Sequence, residues 1–167
     1  MPASTKSPKL VPFDSGAGLL EAFDINDRIN IFLLDALAPE AWRADPPNGK
    51  GRTIAAIVAH MHNVRVMWLK AAAKGSSIPE QLVKEKVTPV HAKKALEQSR
   101  EALKNVLRAS LASDGKVKGF RPHVAAFFGY LIAHDAHHRG QITMLARQSG
   151  NPVDQKTIFG MWEWGKR

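Results

Sequence analysis

Two histidines four residues apart, His134 and His138, are the residues of this 167-residue chain best spaced to do chemistry. Each residue of an α-helix advances about 100°, so such a pair differs by about 40° and projects side by side. Composition alone would supply about 0.3 such pairs, so the setting matters more than the spacing. Val124, Phe127, Phe128, Leu131, Ile142 and Leu145 recur at helical period and define an apolar stripe. His138 falls inside that stripe, His134 at its edge and His137 well outside. An imidazole in an apolar core is costly unless it finds a hydrogen bond or a metal. Two core histidines bonded to Asn or backbone would meet that need. A metal would meet it too, given further ligands.

Further ligands are available at His60 and His62. Both flank the apolar stripe of their own segment by about 90–110°, on opposite sides, so periodicity does not choose between them. One of them with His134 and His138 would make a three-nitrogen site with an open position, the arrangement of a catalytic rather than a structural metal. Asn26 and Asn30 share a stripe with Leu19, Phe23, Leu33 and Leu37. They either bond loop backbone or face a polar cavity, where they would orient a ligand or a histidine's second nitrogen. Asp135 points inward beside His138 and could bond a ligating histidine or pair with Arg28, Arg65 or Arg139.

Positioning these residues requires helices. Residues 1 to 16 hold three prolines and several Ser and Thr, and read as a tail; residues 17 to 167 read as one domain. Helical patterns run from Ala17 to Leu37, from the N-cap Thr53 to about Lys74, from Thr88-Pro89 to about Ser113, and from Arg121-Pro122 to Ser149. The breaks are Pro39, Asp45 to Gly49, Gly75-Ser76-Ser77, Asp114-Gly115 and Gly150 with Pro152. The end, with Phe159, Trp162 and Trp164, is expected to fold back over an all-α four-helix bundle.

Composition narrows the chemistry. The absence of cysteine excludes a disulfide framework, a thiolate zinc site and a cysteine nucleophile. No apolar run reaches the length of a membrane span and the first residues lack a signal-peptide core, so a soluble cytoplasmic protein is expected. The net charge of +9 could favour nucleic acid. Much of the excess lies from Lys84 to Arg121, where Glu97, Arg100, Glu101 and Lys104 alternate in sign, the pattern of a solvated helix face.

The string His134-Asp135-Ala136-His137-His138-Arg139-Gly140-Gln141-Ile142 resembles the H-x-x-x-H-R-G-Q-I signature of the DinB/YfiT-like family. Thr53 to His60, with Trp68 eight residues on, is similar to that family's second helix, and Phe23 to Leu37, with Asn30, to its first. The resemblance spans roughly residues 19 to 150. It implies an up-down-down-up bundle, often dimeric, binding a divalent metal through His60, His134 and His138. It is this likeness that prefers His60 to His62. The family includes S-transferases that use bacillithiol, mycothiol or glutathione, and related isomerases.

The expected function is therefore thiol transfer to a small electrophilic substrate at a three-histidine metal site. Zinc is the first metal expected and nickel the second, although all-nitrogen ligation also accepts iron or copper. Arg65 and Arg139 are expected near the site mouth, where they could hold carboxylates of the thiol. The rival readings are a non-enzymatic stress-related metal-binding protein, a metal-dependent hydrolase or isomerase, and a basic nucleic-acid-associated protein.

Overall fold

The computed structural model describes residues 11–73 and 77–167 (of Asn48, the backbone only). Five α-helices are present among them: α1 (Ser15–Asp35), α2 (Ile54–Ala72), α3 (Pro89–Leu111), α4 (Val124–Gln148) and the short α5 (Gln155–Gly160). Each begins at a side chain that accepts a hydrogen bond from the backbone three residues on. Asp14, Thr53, Thr88, His123 and Asp154 play this part. Thr53 and Thr88-Pro89 act as expected. The fourth helix instead starts three residues after Arg121, because His123 supplies the cap. The first ends at Asp35, two residues before the expected Leu37. Residues 1–10 of the expected tail, and Lys74, Gly75 and Ser76 at the expected stop, lie outside the described residues; Asp14 and Ser15 already belong to the start of α1.

The direction of each helix follows from which residues share a core. One cluster gathers Leu33, Leu34, Ile54, Ile57, Val58, Ala92, Leu96, Ile142 and Ala146. The other gathers Phe23, Leu69, Leu103, Leu107, Val124, Phe127 and Leu131. The first therefore collects the end of α1, the starts of α2 and α3 and the end of α4, and the second collects the opposite ends. So α1 and α4 run one way and α2 and α3 the other, which is the up-down-down-up order. Residues 77–88 bring the chain to the start of α3 at the same end of the bundle as the start of α2, so α2 and α3 are parallel. No helix among the described residues is long and apolar enough to cross a membrane.

Two loop features close the bundle ends. A 3₁₀ turn at Pro39–Arg43, within a stretch expected only to break the chain, buries Trp42 on the first cluster. Its indole Nε1 donates to the Val87 carbonyl at 3.1 Å. The C-terminal segment folds back on α1. The Arg28 guanidinium donates to the Arg167 carbonyl oxygen, and the Arg167 guanidinium lies 3.6 Å from the Phe32 ring centroid. Gly160 permits this approach, since a Cβ there would come within 3.0 Å of the Phe32 ring. Of the tail's aromatics, Phe159 and Trp162 remain 64% and 78% exposed, while Trp164 is partly buried.

Candidate metal centre

Between the two apolar clusters lies a buried polar layer. Arg65 of α2 is 1% exposed, and its guanidinium contacts the other three long helices. Nη1 donates to Asp27 Oδ1 of α1 at 2.7 Å and to the Leu96 carbonyl of α3 at 3.1 Å; Nη2 donates to Asp135 Oδ2 of α4 at 2.8 Å. Asn26 and Asn30 complete the layer, each donating to Asp135 Oδ2 and accepting from Arg139 Nη1. Burial alone would push the Asp135 carboxyl up, but the Arg65 charge and the converging donors hold it well below the usual carboxylate range. Asp27 shares the same guanidinium, yet burial wins there and raises it.

Several expectations are corrected by this layer. Asn26 and Asn30 serve neither a loop nor an open cavity; they fix a buried carboxylate. Arg65 is not at the mouth of the site, because its guanidinium is spent on two interior aspartates. Arg139 does not reach the mouth either, since its Nη1 is held on the α1 side by the two asparagines. Asp135 pairs with Arg65 first. Its other oxygen lies 3.9 Å from His134 Nδ1, too far for a hydrogen bond.

On the α2 side of this layer three imidazoles meet. His60, His134 and His138 each present a ring nitrogen within 4.8 Å of the other two. The Nε2 atoms of His134 and His138 are 3.2 Å apart. Two nitrogens at 2.0–2.1 Å from one tetrahedral ion stand about 3.3–3.4 Å apart, so this spacing fits shared ligation. An N–H···N bond would give a similar distance, and the third ring separates the two readings. The His60 ring centroid is 4.9 Å from that of His138 and 5.4 Å from that of His134, and no hydrogen bond to either His60 nitrogen is found among the described residues. An imidazole aimed at two others with no partner of its own is what a ligand set requires.

The electrostatics agree. Burial, then the nearby Arg52 charge and the other two rings, hold His60 down at about 4. Burial likewise lowers His138. Both are therefore neutral at pH 7 and offer lone pairs without competition from protons. His62, the alternative the helical wheel left open, is fully buried on the α3 side. Its Nε2 donates to the Glu80 carbonyl at 2.8 Å and its Nδ1 lies 3.2 Å from Ser99 Oγ, so it is a structural histidine. His137 is exposed, as its position on the wheel implied.

Two contributors escaped the reading from sequence. Gln141 stands one helical turn beyond His138 and accepts from its Nδ1–H at 2.8 Å, which turns the Nε2 lone pair toward the other imidazoles. Its place in the H-x-x-x-H-x-x-Q string was the available signal. Arg52 precedes α2 and, with Lys50, Ile57, Met144 and Gln141, lines a cleft of about 690 Å³ whose walls carry no acidic side chain. Replacing Gln141 with leucine is expected to weaken divalent-metal binding about 10- to 100-fold, as removal of such supporting bonds does. Competition against a chromophoric chelator reads this, and unchanged affinity would mean that Gln141 does not orient the ring.

An up-down-down-up bundle with three imidazoles converging from two helices defines the class: a helical protein with a group able to hold a divalent metal. The chain belongs to the DinB family, whose pattern it matches over residues 13–164. No curated protein matches it. Among solved structures it is similar to a DinB-like protein from Bacillus cereus ATCC 10987, with a TM-score of 0.65 and 22% identity over 83% of this chain and 95% of that one. At that identity the likeness concerns the fold.

Proposed function

We propose that the protein is a metal-dependent transferase that activates a low-molecular-weight thiol at His60, His134 and His138. The observation that carries this is the set of three imidazole nitrogens with no carboxylate among them. A divalent cation held by neutral ligands would keep its whole charge and hold a coordinated thiol as thiolate near neutral pH. Zinc is the first choice and nickel the second. The chain has no cysteine of its own, so the nucleophile must come from a co-substrate. Sulfur–carbon bond formation then expels the leaving group with its electron pair, and the thiol proton passes to solvent. Asp135, committed to Arg65 and the two asparagines, is not available as a base for activating water, which disfavours hydrolysis.

Arg52 and Lys50 take over the part first expected of Arg65 and Arg139: they are exposed cations lining the cleft that Gln141 also borders, with the Arg52 charge near His60 and His138, suited to an acidic group on the thiol. The DinB resemblance supports the further expectation of a cytoplasmic homodimer acting on a small molecule, with residues 17–167 as one domain. Incubating the zinc-loaded protein with bacillithiol, mycothiol or glutathione and 1-chloro-2,4-dinitrobenzene tests the proposal. Thiol conjugation should depend on metal and disappear in His138→Ala while the helical circular dichroism is retained. No acceleration with any of the three thiols, with zinc bound, would count against it.

A further inference from the structure

The far side of α4 holds a second concavity. Ala136 and Gly140 lie about 120–240° around the helix from His134 and His138. Ile158, Met161, Trp162 and Trp164, from α5 and the residues after it, close over them to leave a groove of about 440 Å³. That volume suits a small molecule, and a site of this kind typically joins apolar walls to a few convergent polar groups. Here the charged group is Arg139. Its Nη1 is occupied by the oxygens of Asn26 and Asn30, but no bond from Nε or Nη2 is found among the described residues. No carboxylate lies within ion-pair distance of it among those residues, and none lines the groove. The guanidinium is thus anchored on one edge, partly shielded from water, and open on the other.

We propose that this groove binds a small amphipathic carboxylate, its acid group on Arg139 and its apolar body against Met161 and the Trp162 and Trp164 indoles. A carboxylate accepts from the guanidinium in a charge-assisted bond that a half-buried site strengthens. The same site offers a neutral or cationic molecule nothing comparable. Trp162, an exposed indole at the rim, gains cover when the groove fills. This ligand is distinct from the thiol proposed above, because the two sites face opposite sides of α4.

The probes are 3-phenylpropionate and its uncharged analogue 3-phenylpropionamide, followed by the four indole N–H signals in NMR spectra of the full chain. The acid should bind with a Kd of about 0.1–1 mM and shift the Trp162 and Trp164 signals. The signals of Trp42, whose N–H is already bonded inside the first cluster, and of Trp68 should stay fixed. The amide should bind at least about tenfold more weakly, and Arg139→Gln should bring the acid down to the same level. Because Arg139 also bonds Asn26 and Asn30, Gly140→Leu serves as a second variant. A Cβ at Gly140 meets nothing within 4 Å, so the leucine fills the groove without disturbing the core. It should abolish binding and leave zinc affinity unchanged. The proposal is overturned by equal affinity for acid and amide, by shifts confined to Trp42 or Trp68, or by binding that survives Gly140→Leu. A dimer that Gly140→Leu splits, with no response to the acid, would also overturn it by giving the groove to a second copy.

Discussion

Arg65→Met is expected to lower the stability of the metal-free protein by about 3–5 kcal/mol at neutral pH, the range for breaking a buried ion pair from one side. For a chain of this size that is a melting temperature about 6–20 °C lower. The cause is specific. Asp27 and Asp135 are 0% and 2% exposed, and without the guanidinium both become buried charges lacking their main partner. The pH dependence follows from the signs. In the native protein Asp135 is held below its ordinary range, so its contribution is present above about pH 4 and is lost as the pH falls further. In the variant the Asn26 and Asn30 donors and the Arg100 charge remain, but burial outweighs them and raises the folded-state value above the unfolded one. Its stability should then improve as the pH falls from about 7 toward 4, narrowing the gap to the native protein. Urea denaturation across that range tests both parts. A loss under about 1 kcal/mol, or a gap that widens on acidification, would mean that the polar layer is not organised around Arg65.

The second large effect separates two histidines that sit two residues apart. His60→Ala should weaken zinc binding by a hundredfold or more. Structural zinc sites supply about 10–16 kcal/mol across four ligands, and a third of a three-ligand site is a comparable loss. Metal-free stability should change by less than about 1 kcal/mol, since His60 is half-buried and no hydrogen bond to it is found among the described residues. His62→Ala should behave in the opposite way. It empties a fully buried position and removes the bond to the Glu80 carbonyl, so it should cost roughly 2–3 kcal/mol while leaving zinc affinity within about twofold. Isothermal titration and thermal melts on both variants read the exchange. Equal effects on metal binding would remove the distinction drawn between them.

The bundle and the pair His134/His138 were legible because helical period places side chains by arithmetic. Caps such as Thr53 and Thr88 are local signals of the same kind. The choice between His60 and His62 was not legible from one helix alone, because it depends on which neighbour lies on each side of α2. Family resemblance supplied His60; the structure adds the reason, since α4 faces that residue and α3 faces His62. The expectation for Arg65 failed for a related cause. A wheel shows that an arginine points inward, but not that two aspartates from other helices await it. Asn26 and Asn30 were singled out as polar interruptions of an apolar stripe, and their acceptor, over 100 residues away in the chain, required coordinates. Trp42 was missed because a proline-rich stretch reads as a break, even when its 3₁₀ turn carries a core residue.

The most direct measurement is a zinc-loaded crystal with diffraction recorded on both sides of the zinc absorption edge. One anomalous peak per chain is expected, about 2.0–2.1 Å from a ring nitrogen of each of His60, His134 and His138, with its remaining coordination directed to solvent. A peak held by His62, by His137 or by carboxylates, or the absence of any peak between α2 and α4 at saturating zinc, would contradict the account.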